Sequence, residues 1–129
     1  MTRVSRVPLS NKEKLSLTEE FWNTLGELNK TQVEHFFREF FSPTEIVMFA
    51  KRLHILKSLR QNTTYEHIQQ GIKVTEPTIA KMSAILQRGD EDFFRILDYL
   101  IRDENSRWQA YLDSRKPHIR GKMIFHVNR

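Results

Sequence analysis

The chain of 129 residues contains no cysteine, so it has neither a disulfide framework nor a thiolate that could act as a nucleophile or metal ligand. Long apolar runs are also missing, because the longest, residues 46–50, is far shorter than the roughly 20 residues that span a bilayer. The N-terminus carries charges every few residues and lacks the apolar stretch of a signal peptide. We therefore expect a cytoplasmic protein with no membrane segment.

The spacings typical of metal and catalytic sites are absent as well. No H-x-x-x-H or HExxH spacing connects the five histidines, which are His35, His54, His67, His118 and His126. The carboxylates of residues 90–92 stand together, but at the first turn of a predicted helix they suit the helix dipole better than a cation. There is no nucleophile–base pair and no phosphate loop. The sequence therefore predicts neither an enzyme nor a metal site.

Positive charge is concentrated at the two ends of the chain. Residues 1–14 carry a net charge of +3 and residues 115–129 carry +5, whereas residues 15–114 carry −3. Basic ends on a mildly acidic centre are common in nucleic-acid-binding proteins, where flexible arms contact phosphates. Solubilising tails would have the same composition, so both interpretations stay open. We expect a basic N-terminal arm at residues 1–15 and a basic tail at residues 117–129.

Hydroxyl residues followed by a glutamate three positions later mark four predicted helix starts. These capping boxes begin at Ser16, Thr31, Ser42 and Thr63. Their close spacing, and the lack of an alternating strand pattern, predict an all-α fold of six to seven helices. Specific helices are expected at about residues 17–28, 32–41 and 43–60, with an additional C-terminal helix at residues 102–116 after a weakened pattern.

Two apolar stripes bear on how these helices pack. The second helix carries a wide stripe made of Val33, Phe36, Phe37, Phe40 and Phe41. This stripe is wider than one neighbouring helix normally covers, so it fits a subunit interface as well as a monomer core. The third helix is expected to bury one side, formed by Ile46, Ala50, Leu53, Leu56 and Leu59.

Residues 64–83 have the pattern of a helix-turn-helix, a motif that places its second helix in the major groove of DNA. The spacing of four apolar residues suits a tight crossing of two helices: Ile68, Ile72, Val74 and Ile79. Thr75 is the predicted N-cap of the second helix, and Glu76 at its first position suits the positive end of the helix dipole.

The start of this second helix is expected to meet base edges through Thr75, Glu76, Pro77, Thr78, Ala80, Lys81 and Ser83. The preceding helix and turn are expected to lie near phosphates, through His67, Gln69, Gln70 and Lys73. Two of these residues depart from the usual motif. Gln69 stands where a small alanine is common, and Lys73 stands where a glycine with positive φ is common. A unit of this shape can also bind protein or be purely structural.

The chain resembles the Trp repressor family and its Trp-repressor-like regulators over about residues 16–101. The matching segments are Ser42–Glu45, Lys51–Leu56, Thr64–Ile68 and Val74–Lys81. The order of elements agrees too, with two helices before the Ser-Pro-Thr-Glu box and one after the helix-turn-helix. The resemblance implies an intertwined, all-α homodimer whose first, second and last helices interlock, and from which two DNA-reading heads project.

The resemblance also bears on a small-molecule effector. In the family two basic residues flank a tryptophan co-repressor, and the corresponding positions here are Arg52 and Lys81. The next position is glycine in tryptophan-binding members, which leaves room for the indole ring, but here it is Met82. A flexible thioether side chain is expected to fill that pocket. We therefore predict no tryptophan cofactor, and a regulator that is ligand-independent or responds to another effector.

The leading hypothesis is a homodimeric transcriptional repressor that binds double-stranded DNA in a sequence-specific manner. We expect it to be associated with the nucleoid in the cytoplasm and to use residues 16–101 as its DNA-binding domain. A helical protein-interaction module with a helix-turn-helix that does not bind DNA is the first alternative. Non-specific nucleic-acid binding through the basic ends is the second.

Overall fold

The computed structural model describes residues 7–115 of the chain, and within that range it contains six α-helices and no strand. The helices are α1 (Asn11–Glu27), α2 (Lys30–Phe40), α3 (Pro43–Arg60), α4 (Tyr65–Ile72), α5 (Glu76–Arg88) and α6 (Glu91–Ser114). The all-α prediction is confirmed. The whole of the expected basic tail, residues 117–129, lies outside the described residues, as do residues 1–6 of the arm.

α1 begins earlier than the sequence predicts. Ser10 is its N-cap: the Ser10 Oγ accepts from the Glu13 amide at 3.2 Å and donates to Glu13 Oε1 at 2.9 Å. Ser16 is therefore not a helix start, and Thr18 lies inside the helix, where its Oγ1 donates to the Lys14 carbonyl at 2.7 Å. Residues 11–15, expected in the basic arm, are consequently helical.

The second helix start is also displaced, whereas the third is as predicted. Asn29 rather than Thr31 caps α2, because its Oδ1 accepts from the Gln32 amide at 2.9 Å. Gln32 Oε1 in turn accepts from the Asn29 amide at 3.1 Å, which completes a capping box. The Ser42–Glu45 box of α3 is confirmed, because the Ser42 amide donates to Glu45 Oε1 at 3.0 Å and the Glu45 amide donates to Ser42 Oγ at 3.1 Å. Hydrogen bonding to the Glu45 carboxyl group, first from the Ser42 backbone, lowers its pKa.

The chain divides into two units after Ala50, so that α3 contributes to both. In the first unit no residue between 7 and 50 is buried, although α1, α2 and the start of α3 are rich in aromatic rings. Ring pairs with centroids between 5.1 and 6.5 Å apart link Phe21, Trp22, Phe36, Phe37, Phe40, Phe41 and Phe49. Trp22 is nevertheless 60% exposed and Phe40 is 58% exposed. This unit therefore lacks a buried core of its own.

The second unit contains the buried core, which is built from α3, α4 and α5. Its buried side chains are Ile55, Ile68, Ile79 and Met82. Partly buried apolar residues surround them: Leu56, Leu59, Ile72, Val74 and Ile85. The predicted role of residues 68, 72, 74 and 79 in the helix crossing is thus confirmed.

The prediction of which side of α3 is buried is wrong in part. Leu53 is 43% exposed, and Ile46 and Ala50 are exposed as well, while Ile55, which was not predicted to be buried, is fully enclosed. α3 has apolar residues on more than one side, and its contacts with α4 and α5 decide which side is covered.

Two ion pairs connect α3 with α6 inside the second unit. Arg60 binds Asp98 through two hydrogen bonds of 2.9 and 3.1 Å, and its guanidinium lies 4.6 Å from the ring centroid of Phe94. Lys57 Nζ lies 2.9 Å from Glu104 Oε2. The hydrogen bonds from Arg60 and Lys57 lower the pKa of the Asp98 and Glu104 carboxyl groups, respectively.

The additional helix expected at residues 102–116 is not a separate element. α6 runs without interruption from Glu91 to Ser114, because residues 103–106 include no glycine or proline and the Arg107–Asp103 ion pair bridges adjacent turns at 2.9 Å. The polar residues that weaken the apolar pattern lie on this continuous helix. The start of α6 is as expected, since Asp90 Oδ1 accepts from the Phe93 amide at 2.8 Å.

Candidate nucleic-acid interface

α4 and α5 form two contacting helices joined by a tight turn. α4 is capped by Thr64, not Thr63, because the Thr64 Oγ1 accepts from the His67 amide at 3.3 Å. It ends at Lys73, whose backbone is left-handed with φ 55° and ψ 62° and whose amide donates to the Gln69 carbonyl at 3.1 Å. The sequence predicted this positive φ. A left-handed residue without glycine costs about 1–2 kcal/mol, so the turn is formed against local backbone preference.

α5 begins at Glu76 with Pro77 in its second position, as predicted. Thr75 is the N-cap by backbone conformation, but its side chain makes no capping hydrogen bond. Its Oγ1 instead lies 3.1 Å from the Oγ1 of Thr78. The amides at the start of α5 are therefore not satisfied by the Thr75 hydroxyl, and they remain donors at the positive end of a helix.

Ile79 and Met82 anchor one side of α5 in the core, and the residues predicted to meet base edges lie at the start of the helix and on the rest of its surface. Thr78 and Ser83 are half-buried, while the exposed residues are Thr75, Glu76, Pro77, Ala80 and Lys81. On α4 and the turn, Gln69 is half-buried, and the exposed residues are His67, Gln70 and Lys73. The predicted DNA-contacting residues thus all lie on the two helices of the motif and the turn between them.

The predicted effector residues are only partly brought together. Met82 is 3% exposed and packs with Ile55, and its Sδ accepts a hydrogen bond from the Arg52 Nε over 3.5 Å. Lys81 directly precedes Met82 in the sequence, and its side chain is exposed rather than part of the core. The methionine side chain therefore occupies the space between Arg52 and the core.

Lys51 stabilises the turn, a role that the sequence did not predict. Its Nζ donates to the Lys73 carbonyl at 3.3 Å, so that α3 contacts the C-cap residue of α4. A cation is favourable there because the carbonyl groups of the last turn carry the negative end of the helix dipole. The sequence indicated this role of Lys51 only indirectly, because Lys51 is part of the Lys51–Leu56 segment that supports the family resemblance.

Other kinds of site are not evident in the part of the chain that the structure describes. Between residues 7 and 115, no three His, Cys, Asp or Glu side chains are grouped so as to hold a metal ion. Within the same range, no helix combines the length and the apolar character needed to cross a bilayer. His118 and His126 lie outside this range.

The short turn, the shared core beneath it and the exposed start of α5 define a helix-turn-helix protein. The chain belongs to the Trp repressor family, because the family model described as "Trp repressor protein" matches residues 17–101. Membership indicates a helical DNA-binding regulator rather than an enzyme. No curated protein and no solved structure matches the chain at a significant level. The predicted resemblance is thus confirmed over nearly the predicted range, and the C-terminal part of α6 lies beyond it.

Proposed function

We propose that the protein is a sequence-specific regulator, acting as a repressor, that binds double-stranded DNA as a homodimer with α5 in the major groove. The observation that carries this proposal is the two-sided character of α5. Ile79 and Met82 are held in the core, while the start of the helix presents polar and small side chains to solvent. A helix anchored in this way can enter a groove without disturbing its own fold.

The exposed side chains of α5 suit base reading. The Glu76 carboxylate can accept from the N4 amine of cytosine, and the methyl group of Ala80 can contact the methyl group of thymine. The Lys81 ammonium can donate to guanine or to a phosphate oxygen. Lys73 and His67 lie on the adjacent turn and helix, where phosphate contacts would orient the motif on the duplex.

The first unit supports the homodimer. A pair of helices with exposed phenylalanine and tryptophan rings and no buried residue between 7 and 50 has apolar surface that a second copy could cover. In a two-fold dimer each subunit presents one α5. The two half-sites would then lie about one helical turn apart, roughly 34 Å, on a palindromic operator.

The regulator would work without tryptophan. The position where a co-repressor ring would need space is occupied by Met82, and the Nε of Arg52 is already hydrogen-bonded to its sulfur. Displacing a buried methionine would open the core of the second unit, at a cost of the same order as a large-to-small core substitution, about 2–5 kcal/mol. Such a regulator would act on the nucleoid in the cytoplasm.

Selection of bound sequences from random duplex DNA tests the proposal, performed at two salt concentrations with no tryptophan present. The expected result is a palindrome with two half-sites one helical turn apart, retained at the higher salt concentration. Binding that shows no sequence enrichment and fades steeply with salt would instead indicate charge-driven association through the basic ends. Absence of DNA binding at both salt concentrations would favour a protein-interaction module.

A further inference from the structure

Lys73 is the residue at which the chain turns from α4 toward α5, and both of its backbone polar groups are hydrogen-bonded. Its amide donates to the Gln69 carbonyl at 3.1 Å, and its carbonyl accepts from the Lys51 Nζ at 3.3 Å. The first of these bonds lies within the α4 end, whereas the second comes from α3. Lys51 therefore connects the backbone of the turn with a helix that is not part of the helix-turn-helix.

The residues on either side of Lys73 are held by apolar packing. Ile72 and Val74 are half-buried and pack against the core, whereas Lys73 is exposed. The peptide group between residues 73 and 74 can still rotate between these two anchored side chains, because changes in ψ of residue 73 and φ of residue 74 can compensate each other. The Lys73 carbonyl oxygen belongs to this peptide group, so the hydrogen bond from Lys51 restricts this rotation.

Lys51 is itself well placed by α3. Residues four positions apart lie on one face of a helix, and Ile55, one turn after Lys51, is 0% exposed in the core that it shares with Ile68 and Ile79. Lys51 is half-buried, so part of its aliphatic stem is covered. A partly covered side chain loses less rotational freedom when its ammonium group forms a hydrogen bond. The donor thus extends from the same core on which α4 and α5 pack.

The peptide group between residues 73 and 74 leads directly into α5. Thr75 is the N-cap, with φ −87° and ψ 155°, and α5 begins at the next residue. Lys73 is left-handed, with φ 55°, and a residue with a Cβ atom does not favour this conformation by itself. Contacts from outside the turn must therefore maintain its shape. A rotation of this peptide group would change the direction in which the chain enters α5.

We propose that Lys51 is a positioning residue for base reading: through the Lys73 carbonyl it fixes the turn, and with it the orientation of the exposed α5 residues Glu76 and Lys81. This role rests on the proposed DNA-binding function and deepens it. Because Lys51 acts through the backbone of the turn, it affects the preference between sequences, whereas a cation that contacts phosphate strengthens binding to all duplexes alike.

Binding of the selected palindrome and of a scrambled duplex by the full-length protein tests this role, with each affinity measured at several salt concentrations. Lys51→Met keeps a long, helix-favouring side chain but removes the ammonium donor. We expect this variant to bind the palindrome at least about fivefold more weakly and the scrambled duplex within about twofold of the wild type, with a nearly unchanged salt slope. Lys51→Arg keeps a donor and should bind the palindrome within about twofold of the wild type.

Lys73→Met is the matched control. It removes the other ammonium group of this region and keeps the backbone carbonyl to which Lys51 donates. Because the Lys73 side chain is predicted to contact phosphate, this variant should weaken binding of both duplexes by similar factors and lower the salt slope by about 1 for each subunit. Circular dichroism checks that every variant keeps its helix content.

An NMR measurement without DNA separates positioning from a general loss of stability. The carbonyl carbon resonance of Lys73 is sensitive to the hydrogen bond that this group accepts from Lys51. Lys51→Met should shift this resonance, and Lys51→Arg should leave it close to that of the wild type. The side-chain resonances of Ile68 and Ile79 in the core should stay in place in both variants.

Three results would overturn this role of Lys51 while the proposed function stands. They are a wild-type preference for the palindrome in Lys51→Met, an unchanged Lys73 carbonyl resonance in that variant, and a uniform loss of affinity for both duplexes with a lower salt slope. The last result would show that Lys51 contacts a phosphate. If the wild-type protein itself prefers no sequence, the proposed function fails, and the positioning role fails with it.

Discussion

Arg52 donates from its Nε atom to the Sδ atom of Met82 over 3.5 Å, and this contact joins α3 to the buried side of α5. Met82 has a structural role in this contact and also a proposed functional one. Met82 completes the core beneath the helix-turn-helix. In the proposed function the same side chain also fills the place of a co-repressor. One residue can therefore account for both the stability of the reading head and its proposed independence from tryptophan.

Shortening Met82 should destabilise the fold. Met82→Ala removes a side chain that is 3% exposed, and we expect the free energy of unfolding to fall by about 2–5 kcal/mol. Met82→Leu, which nearly conserves volume, should cost less than about 1.5 kcal/mol. Urea unfolding monitored by circular dichroism measures both changes. Equal stability of Met82→Ala and the wild type would show that the side chain does not support the core.

Tryptophan should leave the wild-type protein unaffected. Because Met82 fills the space beside Arg52, we expect no shift of the Tm and no change of DNA affinity when tryptophan is added at millimolar concentration. Thermal unfolding followed by differential scanning calorimetry gives the first measurement. A rise of the Tm that grows with tryptophan concentration would contradict the assignment of Met82 as the pocket-filling residue.

Replacing Lys73 by glycine should stabilise the protein. The Lys73 backbone has φ 55°, and glycine adopts this conformation without the steric cost of a Cβ atom, so Lys73→Gly should raise the free energy of unfolding by up to about 1 kcal/mol. The control is Ala80→Gly in the middle of α5, where the same residue should cost about 1 kcal/mol. If both changes destabilised the protein, the left-handed turn would not be present in solution.

Two glycine-to-alanine changes should have opposite signs. A Cβ atom on Gly89 would lie 2.7 Å from Phe93 Cδ1 and 3.2 Å from Phe94 Cζ, so Gly89→Ala should destabilise the protein by about 1–3 kcal/mol. At Gly71 in α4 no atom lies within 4 Å of the added methyl group, and Gly71→Ala should stabilise by about 0.5–1 kcal/mol. Thermal denaturation of the two variants measures both changes in stability. A stabilising effect of Gly89→Ala would show that the Phe93 side chain is free to move.

Acid should weaken the contacts between α3 and α6. The pKa of Asp98 is held below its ordinary 3.8 by Arg60, and the pKa of Glu104 is held below 4.5 by Lys57. A carboxyl group with a lowered folded pKa stabilises the fold above its unfolded pKa, and this stabilisation is lost as the pH falls through the folded pKa. We therefore expect the urea midpoint to fall below about pH 4.5, and less steeply in the double variant Asp98→Asn/Glu104→Gln.

Glu39→Gln is the control for this acid dependence. Glu39 is an exposed carboxyl group of α2, for which the described residues provide no ion pair with another helix. Its replacement should leave the pH dependence close to that of the wild type. An acid profile of the double variant identical to the wild type would show that the two ion pairs do not contribute to stability.

Local chemistry made part of this fold predictable. The Ser42–Glu45 capping box, the positive φ of Lys73 and the start of α5 follow from backbone hydrogen bonding over a few residues, and sequence contains that information. The helix crossing at residues 68, 72, 74 and 79 was equally predictable, because the spacing of these apolar residues lets all four pack on one shared core.

The predictions that were wrong required a choice between similar local patterns or depended on long-range contacts. Ser10 and Ser16 both precede a glutamate by three residues, and only Ser10 caps a helix. On α3 the apolar residues surround much of the helix, so the burial of Ile55 rather than Leu53 is decided by the docking of α4 and α5. The Lys51 contact with Lys73 joins residues 22 positions apart, which no local pattern reveals.

Base reading by α5 can be tested by comparing the binding of two duplexes. Wild-type protein and the double variant Glu76→Ala/Lys81→Ala are titrated against the selected palindrome and a scrambled duplex of equal length and composition. We predict that the wild type prefers the palindrome by about 1,000-fold or more, and that the variant loses most of this preference while binding the scrambled duplex similarly. Glu39→Ala/Lys30→Ala on α2 should behave as wild type. An undiminished preference in the Glu76→Ala/Lys81→Ala variant would show that α5 does not read the bases.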